Sequence, residues 1–265
     1  MFAFWKSMAV LLCVALVFFS GETLAADRIL PIGATAYPPF EYASRDGQAI
    51  GADTELIEQV LKRMGYVSEI RLQPWTRVES AARRGDLAAI YSVLKNPERE
   101  AFFYFSDPVS VSTIVFFKRK EMPLQWQNFD ELKALRVATC AGYAYPKEFV
   151  EAIQQKKFAS VAETFGEEPE LVNFRNLKNR RVDFVITDVN VGQYLISKHK
   201  DELDGIDYSP RVIGSAENFY LAFSKKWPNS EQLVKEFNAE LAKFIATGQR
   251  KKIYDKYRIV SGLGQ

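Results

Sequence analysis

Few residues in this chain can do covalent chemistry, and they are scattered. The one histidine, His199, lies in Ser197-Lys198-His199-Lys200-Asp201, which reads as a solvated helix end. Neither a Ser-His triad nor a histidine-based metal site assembles around it. Cys140 follows an expected strand with no histidine base near it in sequence. Neither a P-loop nor Gly-x-Gly-x-x-Gly occurs, so no cofactor is expected. Carboxyl groups remain free for acid–base work, and Glu41, Asp53 and Glu217 are the candidates for a general acid.

Groups suited to binding are better placed. Tyr37, Phe40 and Trp75 follow expected strands, where an aromatic face can meet an apolar or cationic ligand part or simply pack a loop. Arg99, in Asn96-Pro97-Glu98-Arg99, opens a helix after the third strand. It can grip a carboxylate through two parallel hydrogen bonds or pair with a neighbouring Glu at the surface. Asp188 ends the matching strand of the second half and can receive an ammonium or cap the next helix. Arg99 and Asp188 on opposite sides of a cleft would clamp a zwitterion.

These side chains need a scaffold. Of 265 residues, 48% are hydrophobic and 26% charged, a globular composition that excludes disorder, collagen and coiled coil. Lys and Arg number 35 against 33 Asp and Glu, with no long run of one sign, so nothing favours a nucleic-acid partner. Residues 1–25 read as a cleaved signal peptide: Lys6, an apolar run from Met8 to Phe19, then a small residue at the cut. That run reaches about 18 Å as a helix against a hydrocarbon core of about 30 Å, too short to span. Cys13 is not read as a lipid anchor, because Leu12 precedes it. The exported chain is expected to start near Ala26, to be soluble, and to retain Cys140 alone, without a disulfide.

Hydrophobic period places the elements. Arg28 to Ala34 is a strand, and Arg45-Asp46-Gly47-Gln48 a hairpin turn. Leu56, Ile57, Val60, Leu61 and Met64 form one helical face stopped by Gly65. Strands over 68–72 and 87–91 flank a helix over 76–84. The order recurs with strands over 135–139, 160–163 and 182–187 and helices over 145–155 and 169–179. This predicts an α/β protein of two lobes, each a mainly parallel sheet flanked by helices. Thr113 to Lys118 and Phe219 to Ser224 match in character, so the chain is expected to cross between lobes twice, near 117–121 and 213–219. The C-terminal helices, with Leu233, Phe237, Leu241 and Phe244 and with Asn229 or Ser230 as N-cap, return to lobe one. The expected division is 26–118 plus 217–265 for lobe one and 119–216 for lobe two, with a ligand cleft between them.

Several motifs in order carry a resemblance. They are Ile32-Gly33 through Tyr37-Pro38-Pro39-Phe40-Glu41, Gly51-Ala52-Asp53-Thr54-Glu55-Leu56, Gly85-Asp86-Leu87, Asn96-Pro97-Glu98-Arg99 and Phe105-Ser106-Asp107-Pro108. In the second half they are Gly142, Arg181 through Asp188, and the Gly248 to Tyr257 ending. The set resembles the bacterial extracellular solute-binding proteins of family 3, over essentially the whole exported chain. The resemblance implies a two-lobed periplasmic-binding-protein fold of type II, a monomer in the periplasm, and no catalysis. It also implies capture of a small polar ligand, an amino acid or a related compound, by hinge closure for delivery to an ABC permease. It assigns Arg99 to the ligand carboxylate, Asp188 to its ammonium, Ser92 to a polar contact, and Tyr37 and Phe40 to an aromatic wall. Trp75 would face the ligand side chain.

Two stretches depart from the pattern. Gly142-Tyr143-Ala144-Tyr145 stands where many relatives carry Gly-Thr-Thr, so Gly142 and Tyr143 would reach the ligand without that hydroxyl. Pro74-Trp75-Thr76-Arg77 resembles a divergent subgroup. There Arg77 adds a second positive charge to the cleft, pairs with Glu79, or is a solvated helix start. The rival functions on the same fold are a sensor that presents its ligand to a membrane receptor, and a hydro-lyase like cyclohexadienyl dehydratase.

Overall fold

The computed structural model describes residues 28–260; the expected signal peptide lies outside them. β1 (Arg28–Ala34) leads to the short strands β2 (Tyr42–Ala43) and β3 (Ala49–Ile50), which pair antiparallel across the Arg45–Gln48 turn. α1 (Ala52–Arg63) follows and buries Leu56, Ile57, Val60 and Leu61. Next come β4 (Tyr66–Leu72), α2 (Trp75–Arg84), β5 (Ala89–Leu94), α3 (Pro97–Glu100), β6 (Phe103–Phe105) and β7 (Ser110–Ser112). The second half holds β8 (Ile114–Arg119), a 3-10 turn over Phe129–Leu132, β9 (Arg136–Cys140), α4 (Lys147–Gln154), β10 (Ser160–Thr164) and α5 (Pro169–Lys178). After them come β11 (Phe184–Asp188), α6 (Val189–Lys198), α7 (Lys200–Leu203) and β12 (Ile206–Val212). β13 (Glu217–Ser224), α8 (Ser230–Ala246) and α9 (Gln249–Tyr257) close the described chain.

Two sheets result. The first has the order β4-β1-β5-β13-β6, with β7 also on β13, and the second β10-β9-β11-β8-β12. In each, three strands run parallel and the fourth is antiparallel to the third. The sheets are therefore mixed rather than mainly parallel, because the three-residue β6 and β7 and the half-exposed β12 add antiparallel pairs.

β8 and β13 match because they hold the same place, the antiparallel fourth strand entered directly after a crossing. β8 belongs to the second sheet from Ile114 onward, which corrects the lobe boundary expected at residue 118. The first crossing is at Thr113, and the hinge placed near 117–121 falls on the paired end of β8 and the turn after it. The return lies between Val212 and Glu217.

One helix start differs from expectation, whereas α8 starts as expected with Asn229 in the N-cap position. α4 begins at Lys147, two residues late, because Pro146 disfavours a helical Tyr145. Asn229 sits at the α8 cap in a left-handed conformation, φ 56°, and its side chain caps nothing.

The core follows the pattern of apolar residues. Leu56, Val60, Phe223, Phe237 and Phe244 pack in lobe one, while Phe116, Phe149, Phe158 and Phe184 form an aromatic cluster in lobe two. Among the described residues no helix is long and apolar enough to cross a membrane.

Candidate functional site

The carboxyl ends of the parallel strands from both sheets open on one cleft with about 520 Å³ of atom-free space, part of it open to solvent. Lobe one lines it with Thr35, Tyr37, Glu41, Trp75, Ser92 and Arg99, and lobe two with Tyr143, Tyr145, Glu170 and Thr187. Ser112, Ile114 and Phe219 come from beside the crossings.

The lobes touch across this space. Arg99 Nη2 donates to the Gly142 carbonyl at 3.1 Å, and the Asp188 N–H donates to the Tyr37 hydroxyl oxygen at 3.3 Å. Tyr143 sets its ring edge-on to Tyr37 and Trp75.

Arg99 is held by its own helix start. Asn96 caps α3 by accepting the Arg99 N–H at 2.8 Å, which turns the side chain back under α2. There Nε and Nη2 donate to the two oxygens of Glu79 at 3.3 and 3.2 Å, and Nη1 donates to the Leu94 carbonyl at 3.1 Å. Four of the five guanidinium N–H groups are thereby used. The pair is neither at the surface nor between sequence neighbours. The fork expected to receive a ligand carboxylate is filled by Glu79, and one Nη1 hydrogen remains. Burial opposes ionisation of Glu79, yet hydrogen bonds from Arg99 and Arg83 hold its carboxyl below the ordinary range.

Ser92 occupies a left-handed backbone position, φ 52°, which side chains other than Gly, Asn and Asp seldom adopt. Its Oγ lies 2.5 Å from Glu41 Oε2 and 2.8 Å from Asp53 Oδ2. A hydroxyl has one hydrogen, so it can donate to only one of these carboxyls. The other must carry a proton and donate to Ser92. Asp53 also receives the Ser110 hydroxyl at 2.6 Å, so Glu41 is the protonated partner. Burial, with the Asp53 charge second, pushes Glu41 well up, while burial raises Asp53 to about 6 against the Ser110 and Ser92 hydrogen bonds.

Lobe two brings a further acid. Glu170 stands in the first turn of α5, is buried, and accepts from Thr187 Oγ1 at 2.9 Å through Oε1. Burial raises its carboxyl to about 8. Its Oε2 is buried without a hydrogen bond, as are Thr35 Oγ1, Trp75 Nε1 and Tyr143 Oη. All four atoms belong to residues of the cleft lining. Such orphaned groups are rare in folded proteins and call for a partner.

Of the residues named from sequence, Tyr37, Trp75, Ser92, Arg99 and Tyr143 line this cleft, and four are placed elsewhere. Phe40 is fully buried behind the wall, its ring 5.5 Å from Phe219. Arg77 is exposed, and Glu79 pairs with Arg83 and Arg99 instead. Gly142 contributes its carbonyl to the lobe contact rather than to the lining. Asp188 is buried behind the lining as the cap of α6. It accepts from Asn190 N–H at 2.7 Å on Oδ1, and from Thr113 N–H at 2.6 Å and Ser112 Oγ at 3.2 Å on Oδ2. Burial still raises it to about 6.

Of the three carboxyls considered as general acids only Glu41 lines the cleft; Asp53 lies behind Ser92, and Glu217 begins β13. Cys140 is buried, and burial pushes its thiol well up. His199 lies 4.0 Å from Glu202 at the end of α6. Among the described residues no three His, Cys, Asp or Glu side chains are grouped to hold a metal ion.

The family model of bacterial extracellular solute-binding proteins, family 3, matches residues 30–259. The chain belongs to this family. A related family member, the arginine-binding periplasmic protein of Mannheimia haemolytica, is 26% identical over 226 residues, 84% of this chain and 87% of that protein. The L-cystine-binding protein TcyJ of Escherichia coli K12 is 23% identical over 83% of this chain and 79% of its own. The structure of an ancestral arginine-binding protein bound to arginine superposes with a TM-score of 0.75 at 23% identity, covering 86% of this chain and 97% of that one. The family-3 chain thus keeps the shared two-lobed fold, while Glu79 fills the fork of its Arg99.

Proposed function

We propose that the protein captures an α-amino acid in the interlobe cleft, in the periplasm, and releases it to an ABC permease. The observation that carries this reading is the set of four unpartnered polar atoms, from both lobes, in the lining of one cleft. Trp75 Nε1 can only donate, and with the last Nη1 hydrogen of Arg99 it suits an acceptor such as a carboxylate. Glu41 and Glu170 make the rest of the cleft suitable for an ammonium or guanidinium. Names of relatives that bind arginine and cystine support the ligand class.

In this reading the lobes open about Thr113 and residues 213–216 and close over the ligand. Closure removes water and strengthens the remaining polar contacts. A thermal-shift screen against amino acids, polyamines, organic acids and small sugars tests the reading. A rise in melting temperature confined to α-amino acids is expected; a response only to sugars or organic acids overturns it.

The protonated carboxyls near the cleft favour one further reading, a hydro-lyase using Glu41 as general acid. Formation of phenylpyruvate from prephenate would establish that reading in place of capture.

A further inference from the structure

Among the described residues, Glu170 is the one carboxyl of lobe two in the cleft lining, and it is buried in the first turn of α5. The groups that face it are all acids or neutral. Cys140 approaches from β9, Tyr143 and Tyr145 from the loop after β9, Asp188 from β11, and Tyr37 from lobe one. Thr187 donates to Glu170 Oε1 and Asn173 to Cys140 Sγ, and the Cys140 thiol is a weak donor beside the Glu170 carboxyl. No cation is among them. Among the described residues the one guanidinium lining the cleft, Arg99, is matched by Glu79.

A second anion placed here would meet only like charge and buried phenols, whereas a cation would find an oxygen, Glu170 Oε2, that is buried and unpartnered. Asp188 is less available, because hydrogen bonds from Asn190, Thr113 and Ser112 already engage both of its oxygens.

We propose that Glu170, rather than Asp188, receives the cationic nitrogen of the ligand, and that binding expels a proton from this carboxyl. This rests on the amino-acid reading above and adds a residue to it. The Glu170 O–H bond breaks, its electron pair stays on the oxygen, and the proton leaves to bulk water. A ligand N–H then donates to the carboxylate so formed, and the ligand keeps its own charge.

Burial holds the free carboxyl protonated up to about pH 8, so the cation has to displace a proton at neutral pH. Tyr37, Tyr143, Tyr145 and Cys140 are all pushed further up and stay neutral in this range. Asp188 and Asp53, raised to about 6, have largely ionised by pH 7.

The test is calorimetric titration of the protein with L-arginine at pH 6, 7, 8 and 9, in buffers of different ionisation heat. Release of close to one proton at pH 7 is expected. Affinity should rise roughly tenfold per pH unit towards pH 8 and then level off. In Glu170→Gln the release at pH 7 should vanish, and the affinity should stay near the wild-type value at pH 6 across the range. Glu170→Asp should restore the release.

Arginine binding without proton release, or release that survives in Glu170→Gln, overturns the assignment while leaving amino-acid capture standing. Binding of none of the common amino acids overturns both. The wild-type titration is decisive even if a variant fails to fold.

Discussion

Arg99 and Glu79 form a buried two-point ion pair, Nε to Oε1 at 3.3 Å and Nη2 to Oε2 at 3.2 Å. The same guanidinium reaches across the cleft to the Gly142 carbonyl. Arg99 therefore ties α2 to α3 and lobe one to lobe two before any ligand is considered. Arg99→Ala should cost about 2 kcal/mol of stability, less than the ~3–5 kcal/mol of a wholly unpaired buried charge, because Arg83 still meets Glu79. Urea unfolding of Arg99→Ala, Glu79→Gln and the double variant should show a coupling above about 1 kcal/mol. Strictly additive costs would mean that the two side chains do not support each other.

Ser92 combines a positive φ with a hydroxyl shared by two carboxyls. Ser92→Ala removes the hydroxyl and keeps the strained backbone, whereas Ser92→Gly removes both. The glycine variant should be the more stable by about 1 kcal/mol, although both fall below the wild type. Thermal unfolding of the three proteins checks the order, and an alanine variant equal to the glycine one would count against strain at this position.

The two-lobed order was legible because it is written in period: each parallel strand is an apolar run and each helix an amphipathic stripe. β6, β7 and β12 were not, since three-residue strands and the half-exposed Ile206–Val212 carry too little pattern. Arg99 was legible through its place after Asn96 and Pro97, but its partner was not, because Glu79 lies 20 residues away on another helix. Glu170 was missed for the opposite reason. An acidic residue in a first helical turn reads as a solvated group favoured by the helix dipole. One signal was present: Glu170 and Asn173 stand among Leu171, Phe174 and Leu177 on α5, and all five are buried. Polar residues set in an apolar stripe mark a helix that faces something other than a plain core.

The acids around the cleft reverse the usual pH dependence of stability. Burial raises Asp53 and Asp188 to about 6 and Glu170 to about 8, all above their unfolded values. Between pH 4 and 8 the native state thus holds protons that the unfolded chain has lost, so stability falls as pH rises. The melting temperature of the ligand-free protein should decline from pH 5 to pH 8, and Glu170→Gln should flatten the upper part of that decline. A melting temperature that climbs steadily through this window would show that the carboxyls are not held protonated.

Gly142, in the loop after β9, meets lobe one at Arg99, Trp75 and Thr76. Its φ is +74°, and a Cβ there would lie 3.0 Å from Trp75 Cδ1 and 3.3 Å from Thr76 Cγ2. Both atoms belong to the other lobe, so a side chain at this position strains the loop and also pushes the lobes apart. Gly142→Ala should therefore weaken ligand capture more than it weakens the fold. A loss of about tenfold in affinity, near 1.4 kcal/mol, is expected. The radius of gyration in solution with ligand present should also exceed that of the wild type under the same conditions. Thr76→Ser in the Gly142→Ala background should restore part of the compaction, because it removes the methyl group that the new Cβ would meet at 3.3 Å. A double variant as expanded as the single one would place the strain within the loop and not between the lobes.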